Sequence, residues 1–218
     1  MKNEKFEIPD LPANVKLIVV SKTQPVERIR EVYGTGQRRF GENRVNDLAA
    51  KYTVLPKDIE WHFIGHLQTN KVKVIAPFVR VIQSIDSLKL LCEVDKEALR
   101  NNRNIGCLLE IYIASEETKY GLDIPEARDI LSSTEFRELK NIQILGIMGM
   151  ATYTTDIALI HKEFRTLKGY FDTIKHDFFP NNPAFSEISM GMSGDYRIAI
   201  EQGSTMVRIG SAIFGLKN

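Results

Sequence analysis

The stretch SEISMGMSGDYRIAIEQGSTMVRIGSAIFG, residues 186–215, contains two short β-rich runs, and each run is followed by a turn of glycine and serine. The first turn, residues 191–194, leads directly into a helical pattern that starts near Asp195. The second run is followed by Gly210 and Ser211. Strand, helix and strand in this order form the unit of a parallel sheet. We therefore expect the two turns to lie side by side at one edge of that sheet.

The same alternation of strand and helix patterns extends through the rest of the chain. Apolar runs typical of strands occupy residues 16–21, 38–41, 60–65, 79–85, 106–113, 142–149, 186–191 and 206–210. Apolar residues at helical spacing follow the first and the fourth of these runs. Eight strand and helix pairs predict a parallel (β/α)8 TIM barrel, whose strands are covered on both faces and are therefore almost continuously apolar. An open, doubly wound sheet is the structural alternative.

Composition and charge narrow the class of protein. No linker, low-complexity tract or repeat divides the chain, so we expect a single domain over residues 1–218. The 29 basic and 28 acidic residues are scattered, which argues against nucleic-acid and membrane partners and favours small molecules. The start, MKNEKFEIPDLP, lacks the apolar core of a signal peptide, and Cys92 and Cys107 form no CxxC motif. These features predict a cytoplasmic protein with reduced thiols, which we take to be a monomer.

Polar or functional side chains follow several of the predicted strands. In a (β/α)8 barrel, functional residues lie at the C-terminal ends of the strands. Five candidates occupy such ends or the turns directly after them: Lys22, Asn43, Met148, Ser189 and Arg208. We expect these side chains to meet at one mouth of the barrel.

The turns after the seventh and eighth strands contain four candidate ligands for an anion: Ser193, Gly194, Gly210 and Ser211. Backbone N–H groups and serine hydroxyls at such turns can surround a phosphate without a basic side chain. The same residues could also be ordinary turn glycines and helix-capping serines. Because the two turns occur together where this fold binds phosphate, we favour a phosphate site.

Lys22 stands where the first apolar run ends. Alternation along the strand places it on the same face as Ile18 and Val20, at the top or the rim of the barrel interior. A lysine held over an apolar barrel mouth loses hydration, which favours the neutral, nucleophilic amine. Beside a phosphate pocket, such an amine suits an aldehyde-bearing phosphate ester, and pyridoxal 5'-phosphate (PLP) is one. A strand-end lysine that extends into water is the alternative.

Arg208 favours PLP over other phosphate esters. Alternation turns Met206 and Arg208 toward the barrel interior, while Val207 and Ile209 face the helices. An arginine in that position needs a partner, and the pyridine nitrogen of PLP can accept a hydrogen bond from it. Because a guanidinium stays charged, it would leave the ring a poor electron sink and disfavour carbanion chemistry. His62 could be a general base, but we favour a hydrogen-bonded histidine of the barrel interior.

Five segments closely resemble the YggS/PROSC family of PLP-binding homeostasis proteins. They are VVSKTQP (19–25), RRFGENRVNDLAAKY (38–52), EWHFIGHLQTNK (60–71), ILGIMGMAT (144–152) and EISMGMSGDYRIAIEQGSTMVRIGSAIFG (187–215). The resemblance implies a barrel related to the N-terminal domain of alanine racemases, that is, PLP fold type III. It also implies that PLP is held as a Schiff base and kept available yet sequestered, without established turnover. PLP-dependent apoenzymes are the candidate recipients.

The same resemblance assigns roles to individual residues. The lysine of the SKT motif is Lys22, and the asparagine of the GEN motif, expected to face the cofactor ring, is Asn43. The remaining cofactor-binding residues carried over are Ser189, Ser193, Gly194, Arg208, Gly210 and Ser211. The chain departs from the family in its short segment before the first strand and in His66, whose role the resemblance does not assign. Lys119, in the polar loop SEETKYGLD, is interpreted as a solvated lysine rather than one that takes part in PLP transfer.

Two other functions use the same features. A PLP-dependent amino-acid racemase of the same fold is the main alternative. In the racemases that this chain resembles, a C-terminal β-domain supplies a second base, whereas this sequence ends at FGLKN, a few residues beyond the last strand. An aldolase that binds a sugar phosphate on a lysine is the other. We expect an aldolase to place its lysine further along the barrel, yet the fifth and sixth strands end in IYIAS and IMGMA.

Overall fold

A closed barrel of eight parallel strands in chain order forms the centre of the molecule. The computed structural model describes residues 9–115 and 120–215, so Lys119 lies outside the described residues. The strands are β1 (Lys16–Val20), β2 (Arg39–Glu42), β3 (Glu60–Phe63), β4 (Val81–Ile85), β5 (Ile105–Glu110), β6 (Ile142–Met148), β7 (Glu187–Ser189) and β8 (Met206–Ile209). All eight predicted strands are confirmed, and the pairing of β1 with β8 excludes an open sheet.

Helices cover the outside of the barrel. They are α1 (Val26–Gly34), α2 (Val45–Val54), α3 (Val72–Ile75), α4 (Leu88–Arg100), α5 (Ile124–Ser132), α6 (Thr134–Glu138), α7 (Ile157–Phe178), α8 (Tyr196–Glu201) and α9 (Ser211–Phe214). A 3₁₀ turn, Thr69–Lys71, directly precedes α3. Within residues 9–115 and 120–215, no helix combines the length and apolar character needed to cross a membrane.

Two apolar layers hold the barrel together. Side chains of alternate strand residues fill its interior in a small cluster of Ile18, Val81, Leu108, Met148 and Met206, each at most 5% exposed. The other face of each strand joins a larger core with the helices, in which Val207 and Ile209 of β8 are fully buried. This alternation confirms that Met206 and Arg208 share the inner face of β8. Burying each large aliphatic side chain stabilises the fold by roughly 1.5–3 kcal/mol.

Both cysteines are free thiols, in agreement with the sequence-based prediction. Cys107 lies in the core on β5, and burial raises the pKa of its thiol well above the ordinary value. Cys92 is half-buried on α4, and burial raises the pKa of this thiol as well. Neither thiol is poised for reaction.

Gly146 allows β6 to pair with β7. The pairing of β5 with β6 shifts register between Cys107 and Leu108, so that Leu145 is an extra residue and Gly146 adopts a φ of +154°. A Cβ atom at Gly146 would lie 1.8 Å from the carbonyl oxygen of Glu187 on β7. Only glycine lets the two strands approach this closely.

We predict that Gly146→Ala destabilises the protein by roughly 3 kcal/mol or more, because the added methyl group must separate β6 from β7. The matched control is Gly169→Ala on α7, where a Cβ atom meets nothing within 4 Å. Removing a glycine from a helix interior should stabilise the fold by about 0.5–1 kcal/mol. Urea denaturation of the two variants measures both changes, and equal stabilities would contradict the prediction.

Candidate binding site at the barrel mouth

A cavity of about 340 Å³ lies at the C-terminal ends of β1 and β8. This volume is in the range of small-molecule sites. Its lining includes six of the predicted site residues: Lys22, Ser193, Gly194, Arg208, Gly210 and Ser211. It also includes Val20, the loop residues 151–154 after β6, Ile160, Met192 and Asp195. The structure thus brings the lysine, the arginine and both glycine/serine turns to one place.

The two glycine/serine turns are joined by one hydroxyl group. The Ser193 Oγ atom accepts hydrogen bonds from the backbone N–H groups of Gly210 and Ala212, each at 3.3 Å. The first turn is shaped by Gly191, whose φ is +95° and whose missing Cβ atom would lie 2.6 Å from the Cβ of Ala199 on α8. The prediction that the turns lie side by side is therefore confirmed, since two N–H groups of the second turn are directed at the hydroxyl of the first.

Gly210 brings the second turn against the end of β1. A Cβ atom at Gly210 would lie 3.0 Å from the carbonyl oxygen of Val20, which is tighter than most contacts of a Cβ atom. Two residues after Val20, the chain reaches Lys22. This close approach of β8 and β1 places the turns next to the lysine.

Lys22 lies in a tight turn beyond the barrel wall. β1 ends at Val20, and the backbone N–H of Gln24 donates to the carbonyl of Ser21 at 3.1 Å. Thr23 adopts a φ of +63°, which is rare for a β-branched residue. The Lys22 side chain is exposed, so the expectation that it loses hydration over the barrel mouth is wrong. Because β1 ends two residues earlier, the backbone of Lys22 already lies outside the apolar interior of the barrel.

Arg208 is buried beneath the cavity, and its guanidinium is held by three hydrogen bonds. The Nη1 atom donates to the carbonyl of Ser189 at 2.8 Å and to its Oγ at 2.6 Å, and Nη2 donates to the carbonyl of Gly149 at 3.1 Å. Burial lowers the pKa of Arg208 to about 10, which still leaves it charged at neutral pH. The hydrogen-bond partners that a buried Arg208 needs are therefore supplied in part by residues at the ends of β6 and β7.

A buried polar chain continues from Arg208 across the barrel interior. The Ser189 Oγ donates to Gln83 Oε1 at 2.7 Å, and Gln83 Nε2 lies 2.9 Å from His62 Nδ1. Because Nδ1 accepts this hydrogen bond, the hydrogen-bond network assigns the ring proton to Nε2. Burial lowers the pKa of His62 to about 3. His62 is thus a neutral, hydrogen-bonded histidine of the barrel interior, as expected, and not a general base.

Glu110 and Gln83 belong to the site region but were not identified from the sequence. Glu110 ends β5, is 4% exposed, and has its pKa raised to about 7 by burial. The charge of Arg208 acts in the opposite direction on this carboxyl group, whereas that of Asp86 raises its pKa further. Glu110 and Gln83 both stand inside apolar runs, and a polar residue within such a run is the signal that could have identified them.

The other three predicted site residues lie outside the cavity lining. Ser189 supports Arg208 from below, and Met148 lies in the interior cluster, 1% exposed. Asn43 lines a separate cavity of about 410 Å³ after β2 and β3, together with His66. The His66 ring stacks on Tyr120 with centroids 4.3 Å apart.

Glu163 on α7 holds the loop after β6 against the cavity. Its Oε2 atom accepts the backbone N–H of Thr152 at 2.7 Å, and its Oε1 accepts the Thr152 hydroxyl at 2.6 Å. The Ser115 hydroxyl, from the loop after β5, donates to the same Oε1 at 3.2 Å. One buried carboxylate therefore fixes a wall of the cavity. In the described residues, no cluster of histidine, cysteine, aspartate or glutamate could hold a metal ion.

The fold and the site define a class of barrel. Residues 10–218 match the family model described as alanine racemase, N-terminal domain. A solved alanine racemase from Bartonella henselae shares the fold, with a TM-score of 0.70 at 15% identity over 93% of this chain and 57% of that chain.

More similar relatives narrow the class. The pyridoxal phosphate homeostasis protein of Aquifex aeolicus is 41% identical over 92% of this chain and 86% of its own length. The human protein of the same name is 37% identical over 94% of this chain and 78% of its own. PipY of Synechococcus elongatus PCC7942, solved with PLP bound, has a TM-score of 0.84 and 34% identity over 94% of both chains. The chain belongs to the family of pyridoxal phosphate homeostasis proteins.

We predict that His62 makes the stability of the fold depend on pH. The unfolded chain binds a proton on this imidazole below its ordinary pKa of 6.5, whereas the folded protein does so only near pH 3. The contribution of His62 to stability therefore falls as the pH decreases from 6.5, by about 2 kcal/mol at pH 5. Glutamine can still accept a hydrogen bond but does not titrate, so His62→Gln should remove this component. Urea denaturation between pH 5 and 7 measures it, and identical pH profiles of the two proteins would show that His62 does not contribute.

Proposed function

We propose that this chain binds PLP in the cavity at the barrel mouth and serves PLP homeostasis, with PLP held as a Schiff base on Lys22 and without catalytic turnover. The observation that carries this proposal is the convergence of an exposed amine, a buried guanidinium and two N–H-rich turns on one cavity. The names of the relatives described above, and PLP in the solved PipY structure, support it.

The residues present fit the phosphate of PLP. The N–H groups of Gly210 and Ala212 already converge on the Ser193 hydroxyl, and a phosphate oxygen could accept from the same group of donors. Gly194 has open space where a Cβ atom would stand, so an anion could approach its backbone. Ser211 adds a second hydroxyl in the lining.

The buried guanidinium fits the ring end of the cofactor. Arg208 borders the cavity and is held rigidly by Ser189 and Gly149, so it can present an N–H group to a pyridine nitrogen at a fixed position. We propose that Met148 and Ser189 act beneath the ring by holding this floor in place, and that Asn43 reaches the ring from the neighbouring cavity. PLP when bound would supply an aldehyde to which an amine can attach reversibly.

The residues of the cavity are better suited to holding PLP than to catalysing the racemisation of an amino acid. A racemase needs two acid/base groups on opposite faces of its substrate. Lys22 could serve one face, but Tyr153, the tyrosine in the lining, is 96% exposed. Arg208 cannot leave a proton on the ring nitrogen, which weakens the ring as an electron sink. We further propose that PLP-dependent apoenzymes receive PLP from this protein in the cytoplasm, and that the protein acts as a monomer.

Lys22→Ala is expected to abolish the covalent adduct that borohydride traps between PLP and the protein, because no other lysine lies in the cavity lining given above. Mass analysis of peptides from the treated protein identifies the modified residue. Lys71→Ala is the matched control, since Lys71 lines the neighbouring cavity with Asn43, and its adduct should be retained. An adduct on another lysine at wild-type yield in Lys22→Ala would contradict the assignment.

PLP is expected to bind at least ~10²-fold more tightly than pyridoxal, which lacks the phosphate. Charge-assisted hydrogen bonds contribute about 1.5–3 kcal/mol each, and several would be lost together. Ser193→Ala should reduce the difference between the affinities for PLP and pyridoxal, because it removes the hydroxyl that joins the two turns. Equilibrium titration followed by absorbance measures both affinities. Equal affinities for PLP and pyridoxal would show that the phosphate does not bind at these turns.

A further inference from the structure

A buried ion pair lies directly behind the turn that carries Lys22. Lys51 on α2 pairs with Glu42, the last residue of β2. Glu42 is fully buried and Lys51 is 8% exposed. Burying two charges costs free energy that their attraction often fails to recover. Stability alone is therefore a weak reason for this pair.

The pair also forms hydrogen bonds with two backbone groups, one in the residue before Lys22 and one in Asn43. The Lys51 Nζ atom donates to the carbonyl of Ser21 at 2.7 Å, in the residue immediately before Lys22. The Glu42 Oε2 atom accepts the backbone N–H of Asn43 at 2.9 Å. The pair thus connects the helix α2 to the ends of β1 and β2 at the barrel mouth.

The same Ser21 carbonyl closes the Lys22 turn. It accepts the backbone N–H of Gln24 at 3.1 Å, and between them Thr23 is in the left-handed region with a φ of +63°. Such a conformation is unfavourable for a β-branched residue and persists only where its surroundings enforce it. The ammonium group of Lys51 is a strong donor to the carbonyl that anchors this turn.

We propose that the Lys51–Glu42 pair is a positioning device: it holds the Ser21 carbonyl and the strained turn so that the Lys22 amine is directed into the cavity. This inference rests on the proposed function, in which Lys22 attaches PLP. Lys51 is not among the lining residues of the cavity, so its effect must pass through the backbone. Without the pair, the turn should relax to conformations that threonine prefers, and Lys22 should be misdirected.

The test separates attachment from binding. The double variant Glu42→Gln, Lys51→Met removes both charges and leaves neither unpaired. Its rate of forming the borohydride-trapped adduct with PLP is compared with its affinity for 4'-deoxypyridoxine 5'-phosphate, which has the same ring and phosphate but no aldehyde. We expect adduct formation ~10 to 10²-fold slower, as for a misplaced reacting group, and unchanged affinity for the aldehyde-free ligand.

The double variant Lys16→Met, Glu187→Gln, which likewise removes both charges of an ion pair, is the matched control. Lys16 begins the same strand, β1, and forms an ion pair with Glu187 at the opposite end of the barrel. Both readouts should stay at wild-type values in this variant. Adding Thr23→Gly to the Glu42→Gln, Lys51→Met variant should restore part of the attachment rate, because glycine adopts a positive φ without strain. A purely structural role of the pair would not produce that recovery.

Thermal unfolding followed by circular dichroism shows whether the Glu42→Gln, Lys51→Met double variant folds. If it does not, the Glu42→Gln variant is used, in which Lys51 keeps its contact with Ser21 and can donate to the glutamine amide oxygen; it is expected to attach PLP at an intermediate rate. Wild-type attachment in a folded double variant, or in Glu42→Gln if only that variant folds, would overturn the positioning role. An equal loss of attachment and of 4'-deoxypyridoxine 5'-phosphate affinity would also overturn it. A wild-type protein that forms no adduct at Lys22 would instead overturn the proposed function.

Discussion

Arg208 lies inside an apolar barrel, and a guanidinium in that position must have its N–H groups hydrogen-bonded. Its donors reach the carbonyls of Ser189 and Gly149, so the charge locks the ends of three neighbouring strands, β6, β7 and β8, at fixed positions. Gln83 extends the same polar chain to β4 through the Ser189 hydroxyl. Glu110, with a pKa near 7, can offset part of the buried positive charge. These hydrogen bonds compensate the buried charge of Arg208 and at the same time hold the floor of the cavity in place.

The two sides of the cavity differ in the interaction that they offer to a ligand. The turns after β7 and β8 present backbone N–H groups, which suit an anion because they need no mobile side chain and lose little entropy. On the other side, Lys22 stands exposed on a strained turn, where its orientation depends on the Ser21 carbonyl and the Lys51–Glu42 pair behind it. Noncovalent binding and covalent attachment can thus be altered independently. A protein that keeps its ligand sequestered yet available needs both properties.

The fold is shared with alanine racemases, but the barrel alone does not determine the reaction. In this chain the buried cation that borders the cavity is Arg208, and the tyrosine of the cavity lining is almost fully exposed. The chemistry that these residues favour is capture of an aldehyde by one amine. The family relationship and the site geometry therefore agree on homeostasis for different reasons.

The amino-acid sequence by itself determined the eight strands, their order and the residues at their C-terminal ends, because apolar periodicity and glycine turns are local properties. It also identified Arg208, since alternation within MVRIG places it on the inner face. The exposure of Lys22, the placement of Asn43 in a neighbouring cavity and the contacts of Gln83 were decided only by the tertiary structure. The tertiary structure also decided the pairing of Lys51 with Glu42, because nothing in the sequence distinguishes these two residues from other lysines and glutamates. Each of these depends on strand register and on where a turn leaves the barrel wall, and both are set by contacts between residues distant in the chain.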